Sequence, residues 1–261
     1  MPETPGTSFK AAEVVDLYLH RPPYAPQIYD CIAENAPARN RLLDLGCGPG
    51  NIARPMTNVF GDVTAVDPSA NMIALGKSLE NGRASNLDWI EATAENAPLA
   101  SNYDVVTFAS SIHWMDPARL FPKLANHLSR NHMLVFISGD DAFNPPWHED
   151  WRRFLSDWVP KLTDQPLDSE SWRASRARHL DFVKVVRSCE FLSPTFTQSV
   201  EDYILSQHSR NTWTVSRLGP LRHEFQQQLE ALLRPHANRD GQLSFEIKTE
   251  LTFATLKMAS T

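Results

Sequence analysis

The stretch RLLDLGCGPGN (Arg41–Asn51) decides how this chain is read. A short apolar run meets an aspartate, Asp44, and glycines then follow at every second position, Gly46, Gly48 and Gly50. The apolar run is too short for a helix and predicts the first buried strand. The glycines predict a turn, since glycine adopts backbone conformations that a side chain would forbid. A helix is predicted to start near Asn51, with Pro55 about one turn in, where few N–H groups have partners to lose. Such strand–turn–helix units cradle nucleotide-like ligands.

Working outward, VTAVD (63–67), LDWIEA (87–92), DVVTFAS (104–110) and MLVFIS (133–138) read as further short apolar strands. Ser69 is placed to cap a helix carrying Met72, Ile73, Leu75 and Leu79 that ends near Asn81-Gly82. Asp116-Pro117 predicts another helix start. Alternating strands and helices predict a parallel sheet with helices on both faces. The rhythm breaks after Ser138. Two helices are expected between Asn144 and Leu180, one carrying tryptophans and one arginines. FVKVVRSCEF reads as a strand, Ser199 as a helix start with Asp202 in a capping box, and Leu221–Leu233 as an amphipathic helix. LSFEIKTELTFATLKM reads as a final long strand. The expected division is a core with N-terminal cover helices over 1–139, a helical lid with one returning strand over 140–235, and a last core strand over 236–261.

The ligand follows from what the turn lacks. A phosphate-binding loop of the NTPase type needs Lys and then Ser or Thr after its last glycine, and Asn51-Ile52 stands there. The dinucleotide fingerprint needs G-x-G-x-x-G, whereas this turn is G-x-G-x-G, and Asp44 before it would repel a pyrophosphate. A cationic ligand reverses that argument. S-adenosylmethionine carries a sulfonium and an ammonium and no phosphate, so a carboxylate beside the turn is favourable. Asp67 ends the second strand, about 20 residues further on, where an acid reaches ribose hydroxyls.

Composition is ordinary for a soluble globular protein with a sizeable core. The chain has 261 residues, 42% apolar and 21% charged, and a net charge of −6. That balance argues against a general nucleic-acid binder. Three widely spaced cysteines, Cys31, Cys47 and Cys189, suggest neither zinc nor a disulfide framework. The N-terminus lacks the apolar core of a signal peptide, and no run is long enough to span a membrane. A cytoplasmic protein without metal, monomeric or homodimeric, is expected.

LLDLGCGPG, VDPS, ATAENAPL and YDVVTFASSIHWMD, in that order, resemble the class I S-adenosylmethionine-dependent methyltransferases, in particular the small-molecule branch similar to trans-aconitate methyltransferases. The resemblance covers strands one to five; YLHRPPYAP and VEDYILSQHSRNTW resemble that branch with less specificity. It implies a Rossmann-like, doubly wound, mostly parallel α/β sheet of seven strands with a helical lid after strand five. By position it implies that Gly46 and Gly48 let backbone approach the methionine part and that Asp44 holds its ammonium. Asp67 would bind the ribose, Pro68 and Met72 would pack near the adenine, and Ala94 would offer it an N–H. Ser110 would offer a carbonyl to the ammonium. The family often has aspartate where this chain has Thr93, so Thr93 or Glu95 is left to hold the adenine amine. Tyr18 and Arg21 would close over the methionine carboxylate.

The implied activity is methyl transfer to a small molecule, leaving S-adenosyl-L-homocysteine, with carboxyl O-methylation as one form. N- or C-methylation, a pericyclic or partner protein that binds the cofactor without methylating, and a nicotinamide oxidoreductase are the alternatives. His113 and Trp114, after the fourth strand, are candidates for the acceptor, His113 also as catalytic base. Trp147 and Arg210 are further substrate candidates. The stripe Trp147, Trp151, Phe154, Leu155 and Trp158 reads more simply as lid core, and Arg173, Arg176 and Arg178 as a solvated helix face.

Overall fold

The structure is a computed structural model that describes residues 12–163 and 177–257. The chain divides into two compact units, each built from three segments. One, the sheet unit, comprises Pro26–Gly139, Ala174–Phe191 and Thr249–Thr261; the other, the aromatic unit, comprises Met1–Ala25, Asp140–Arg173 and Leu192–Lys248. The N-terminal segment thus groups with the residues after Gly139, and the last strand is shared between the units.

In the sheet unit, β1 (Arg41–Leu45), β2 (Asp62–Asp67), β3 (Leu87–Glu91), β4 (Tyr103–Ala109) and β5 (Leu128–Ser138) lie in the order β3-β2-β1-β4-β5. Every neighbouring pair among them is parallel. The apolar strands of the sequence are these strands because helices cover both faces, so β1, β2 and β4 are buried along nearly their whole length. Strand order reverses at β1, which has β2 on one side and β4 on the other. Ligands of open α/β sheets gather at the carboxyl ends of strands at such a reversal. The helices of this unit start where the capping residues predicted. Ser69 accepts the Met72 N–H at the head of Ala70–Ser78, and Asp116 accepts the Ala118 N–H at the head of Pro117–Ala125.

The final strand, Gln242–Leu256, shows why patterning rather than run length defines it. Leu243, Phe245, Ile247, Thr249, Leu251 and Phe253 alternate with more exposed neighbours, and all six are at most 4% exposed. Its second half runs antiparallel to β5, from Ile137↔Leu251 to Leu134↔Ala254. Its first half, in the aromatic unit, pairs antiparallel with β6 (Ala142–Phe143) and β8 (Phe196–Ser199). With β7 (Val183–Leu192), which also pairs with it, and the final strand as β9, the described residues hold nine strands rather than the seven expected. The two additions are two and four residues long. Runs that short leave no periodic signal.

The aromatic unit is organised around rings. The helix His148–Thr163 buries Phe154 and Trp158. Trp158 meets Phe225 edge-on at 5.1 Å and donates its indole N–H to Gln228 Oε1 at 2.9 Å. The helix Val200–His208 is capped by Ser199, whose hydroxyl accepts the Asp202 N–H and donates to the Asp202 carboxylate. Arg222–Leu233 turns Phe225, Leu229 and Leu233 into the same core. Arg173 and Arg176 lie outside the described residues. Among the described residues, no helix is long and apolar enough to cross a membrane.

Candidate functional site

The three glycines of the turn adopt φ values of 66°, 53° and 77°, all left-handed. A Cβ on Gly46 would stand 2.6 Å from the Ser111 Cβ, and one on Gly50 would stand 2.6 Å from a ring carbon of Trp89. The first and third glycines are therefore demanded by the protein's own packing. The N–H groups of Gly46 and Cys47 both donate to the Val66 carbonyl, at 2.8 and 3.0 Å, which ties the turn to β2. Gly48 donates its N–H to Asp67 Oδ2 at 2.8 Å. Arg54 wraps the far side, bonding the carbonyls of Pro49 and Glu80.

Two buried carboxylates flank this turn. Asp67, 7% exposed, receives Ser69 N–H on Oδ1 besides Gly48 N–H on Oδ2. Pro68 separates it from the capping Ser69, and Met72, 1% exposed, lies in the first turn of the helix that follows. Asp44 is fully buried on β1 and is held by neutral donors: the Thr107 hydroxyl at 2.8 Å and the Ala53 N–H at 3.2 Å. Burial pushes the Asp44 carboxyl up to about 7, the two donors pull it down, and the Asp67 carboxylate pushes it up again. A buried carboxylate facing a charge of its own sign is a place for a cation, not for a phosphate. The sequence reading missed Thr107, although a threonine inside the apolar DVVTFA run, registered opposite Asp44, is its signal.

The loop after β3 completes the carboxyl side of the sheet. Ala94 is buried and Thr93 exposed. Glu95 uses Oε1 to accept the Asp116 N–H at 2.8 Å, so half of that carboxylate serves a helix start. Lys123 bridges the carbonyls of Ala94, Glu95 and Ala97, which fixes the loop and was not foreseen. Ser110, at the end of β4, has a φ of 50°, a left-handed position rare for a residue with a side chain. Ser111 turns back to donate its hydroxyl to the Leu45 carbonyl at 2.6 Å. His113 and Trp114 follow in a short 3-10 turn, half-buried, their rings 4.5 Å apart. Among the described residues, no three His, Cys, Asp or Glu side chains are grouped to hold a metal.

Comparison with known proteins bears on this geometry. Residues 43–136, which run from β1 into β5, match the family described as a methyltransferase domain. That stretch of the chain is similar to a methyltransferase domain. An uncharacterized methyltransferase of Mycobacterium tuberculosis is 36% identical over 109 residues, covering 41% of this chain and 42% of the relative. A malonyl-[acyl-carrier protein] O-methyltransferase of Bacillus anthracis is 31% identical over 107 residues, covering 40% and 39%. The chain thus spans about two fifths of the length of these relatives. Likeness in structure is wider. A SAM-dependent methyltransferase from Thiobacillus denitrificans, solved with S-adenosyl-L-homocysteine, superposes over 94% of this chain and 97% of its own, with a TM-score of 0.51 at 15% identity. A protein from Anaeromyxobacter dehalogenans, named only provisionally as a type II methyltransferase, reaches 0.67 over 90% and 96% at 18% identity. At such identities the likeness establishes the fold.

The sheet unit holds Asp44, Gly46, Gly48, Asp67, Pro68, Met72, Thr93, Ala94, Glu95, Ser110, His113 and Trp114; Tyr18, Arg21, Trp147 and Arg210 belong to the aromatic unit. There, Arg21 lies over the Tyr18 ring at 4.3 Å and bonds the Ser209 hydroxyl and carbonyl. Arg21 and Arg210 both reach Asp140, at 3.3 and 3.5 Å. Burial would raise the Asp140 carboxyl, but Arg210 and then Arg21 outweigh it and hold it below the usual carboxylate range. The two arginines expected to serve cofactor and substrate are thus already engaged by an aspartate that the sequence did not single out. Trp147 needs a plainer correction. It is 0% exposed, edge-on to Tyr203 and Phe245, and offers no surface to a substrate. A large ring at helical spacing was filling a core.

Proposed function

We propose that this protein is an S-adenosylmethionine-dependent methyltransferase acting on a small molecule. The observation that carries the reading is Asp44: a wholly buried carboxylate beside a glycine turn, held by neutral donors and repelled by Asp67. Its natural complement is the cofactor's ammonium. Asp67, which also anchors Gly48 and Ser69, takes the ribose hydroxyls. Gly48 keeps the space above the turn clear, and the Ser110 carbonyl faces the methionine end. Pro68 and Met72 flank the adenine, Ala94 donates to it, and Thr93 or Glu95 Oε2 accepts its amine. Bound S-adenosylmethionine supplies an electrophilic methyl group on sulfur. The protein's part is to align the acceptor in line with that group and to exclude water.

The finer reading is carboxyl O-methylation. A carboxylate is ionised far below neutral pH and needs positioning rather than a general base, which His113, with its ring against Trp114, would supply. The relative named for malonyl-[acyl-carrier protein] O-methylation is in keeping with this. The test has two arms. Calorimetry should give tight S-adenosyl-L-homocysteine binding and none of NADH; the reverse would end the whole reading. With a panel of small carboxylic acids, the methyl-transfer step should stay nearly flat from about pH 6 to 9, with His113→Gln losing affinity more than turnover. A rate rising tenfold per pH unit and lost in that variant would place deprotonation of the acceptor, by His113, in the mechanism instead.

A further inference from the structure

Two thiols far apart in sequence, neither given a part in the proposed reaction, meet in the sheet unit. Cys31 lies on the helix Gln27–Asn35 and Cys189 on β7, 158 positions later, with their sulfurs 3.6 Å apart. The two elements are also joined without sulfur: Arg187 on β7 donates to the Asn35 side-chain oxygen at 2.9 Å, and Asn35 is itself held within its helix by a bond to the Cys31 carbonyl at 2.7 Å. A side-chain bond thus already spans the two elements beside the thiols. Closure brings the sulfurs from the 3.6 Å of contact to the ~2.05 Å of a disulfide.

We propose that Cys31 and Cys189 are an oxidation site that closes to an intramolecular disulfide between the helix Gln27–Asn35 and strand β7. The oxidant is a low-molecular-weight disulfide. Cys189, the less buried of the two, attacks first. One oxidant sulfur bonds to Cys189 and the other leaves as a thiolate. Cys31 then gives up its proton and attacks the Cys189 sulfur, expelling the second thiolate. The protein loses two hydrogens and two electrons, and the oxidant gains both as two free thiols. Burial, and then the neighbouring Cys189, push the Cys31 thiol up to about 11, so Cys31 is a poor first nucleophile and acts once a mixed disulfide sits beside it. A shared metal would use the same sulfur spacing, but among the described residues no third ligand joins the pair. Cys47, buried in the glycine turn with its thiol pushed well above its usual value by burial, serves as an internal control.

The location gives the bond a consequence. Tyr29, two residues before Cys31 on the same helix, donates its hydroxyl to the Asn51 carbonyl at 3.0 Å, just past the glycine turn. A disulfide would fix the helix that props that turn.

The test needs no variant to begin. The full-length protein is incubated with oxidised glutathione, quenched with acid and examined by intact mass and peptide mapping. The expected result is the loss of two hydrogens, one linked Cys31–Cys189 peptide and an unmodified Cys47. The melting temperature should rise by about 5 °C or more and fall back with reductant. Cys31→Ser should leave Cys189 carrying a lasting glutathione adduct, because the resolving thiol is gone. A lasting adduct on Cys189 in the unaltered chain, a link through Cys47, or stoichiometric zinc lost with the thiols would each overturn the proposal.

Discussion

Two aspartates, both buried in the sheet unit, sit at opposite ends of neighbouring strands and are treated differently. Asp104, at the start of β4, is 4% exposed and accepts the N–H groups of Asn40 and Arg41 on one oxygen and the Ser129 hydroxyl on the other. Asp44, toward the end of β1, accepts one hydroxyl and one N–H, and its carboxyl is pushed up to about 7, mainly by burial. The amino end of the sheet spends its carboxylate on its own backbone. The carboxyl end leaves one with a single neutral donor on each oxygen and its carboxyl pushed up by burial, and such a buried acid marks a candidate binding site.

The largest effect should come from the satisfied acid. Asp104→Ala takes the acceptor from two backbone N–H groups and a hydroxyl on partly exposed residues and should cost ~2–3 kcal/mol by denaturant unfolding. The protein that stays folded should bind S-adenosyl-L-homocysteine normally. Weakened binding with intact stability would erase the contrast. Next is Asp67→Ala, expected to weaken cofactor binding by ~1–3 kcal/mol in a calorimeter, with some loss of turn order as Gly48 N–H loses its acceptor.

Asp44→Asn sharpens the comparison from the other side. It keeps the shape and removes a strained charge, so stability at pH 8 should change by no more than ~1 kcal/mol or rise, while cofactor affinity falls by ~1–2 kcal/mol. The sign of the pH effect follows. Because its folded value is raised from about 4 to about 7, Asp44 contributes stability that is complete below pH ~4 and is lost as pH rises through 7. Affinity for a cationic ligand runs the opposite way and should climb between pH 6 and 8 as the carboxyl ionises. Both slopes should flatten in Asp44→Asn. An unchanged affinity slope in that variant would remove Asp44 from the site.

Much of this was legible in the residues, for physical reasons. Ser69, Asp116 and Ser199 cap helices because their side chains accept N–H groups that no carbonyl can reach, and that chemistry is local. The five parallel strands showed as apolar runs because both their faces are covered. What stayed hidden was pairing across distance. Periodicity says that Trp147 is buried, not that Tyr203 and Phe245 enclose it. Arg21 and Arg210 read as available cations until Asp140 stood between them. Cys31 and Cys189 read as unrelated thiols because nothing local links a helix to a strand so much later in the chain.

The shared last strand has a bearing on how the protein is made. Residues 242–256 leave the ribosome after every other described element, yet both units depend on them: Leu243, Phe245 and Ile247 fill one core, and Leu251 and Phe253 are buried in the other unit. Until they emerge, β5 has no partner along Leu134–Ser138, and the rings of the aromatic unit lack a wall. The nascent chain therefore carries two unfinished hydrophobic surfaces until these residues emerge, and a ribosome stalled just before residue 242 would display both to chaperones and proteases.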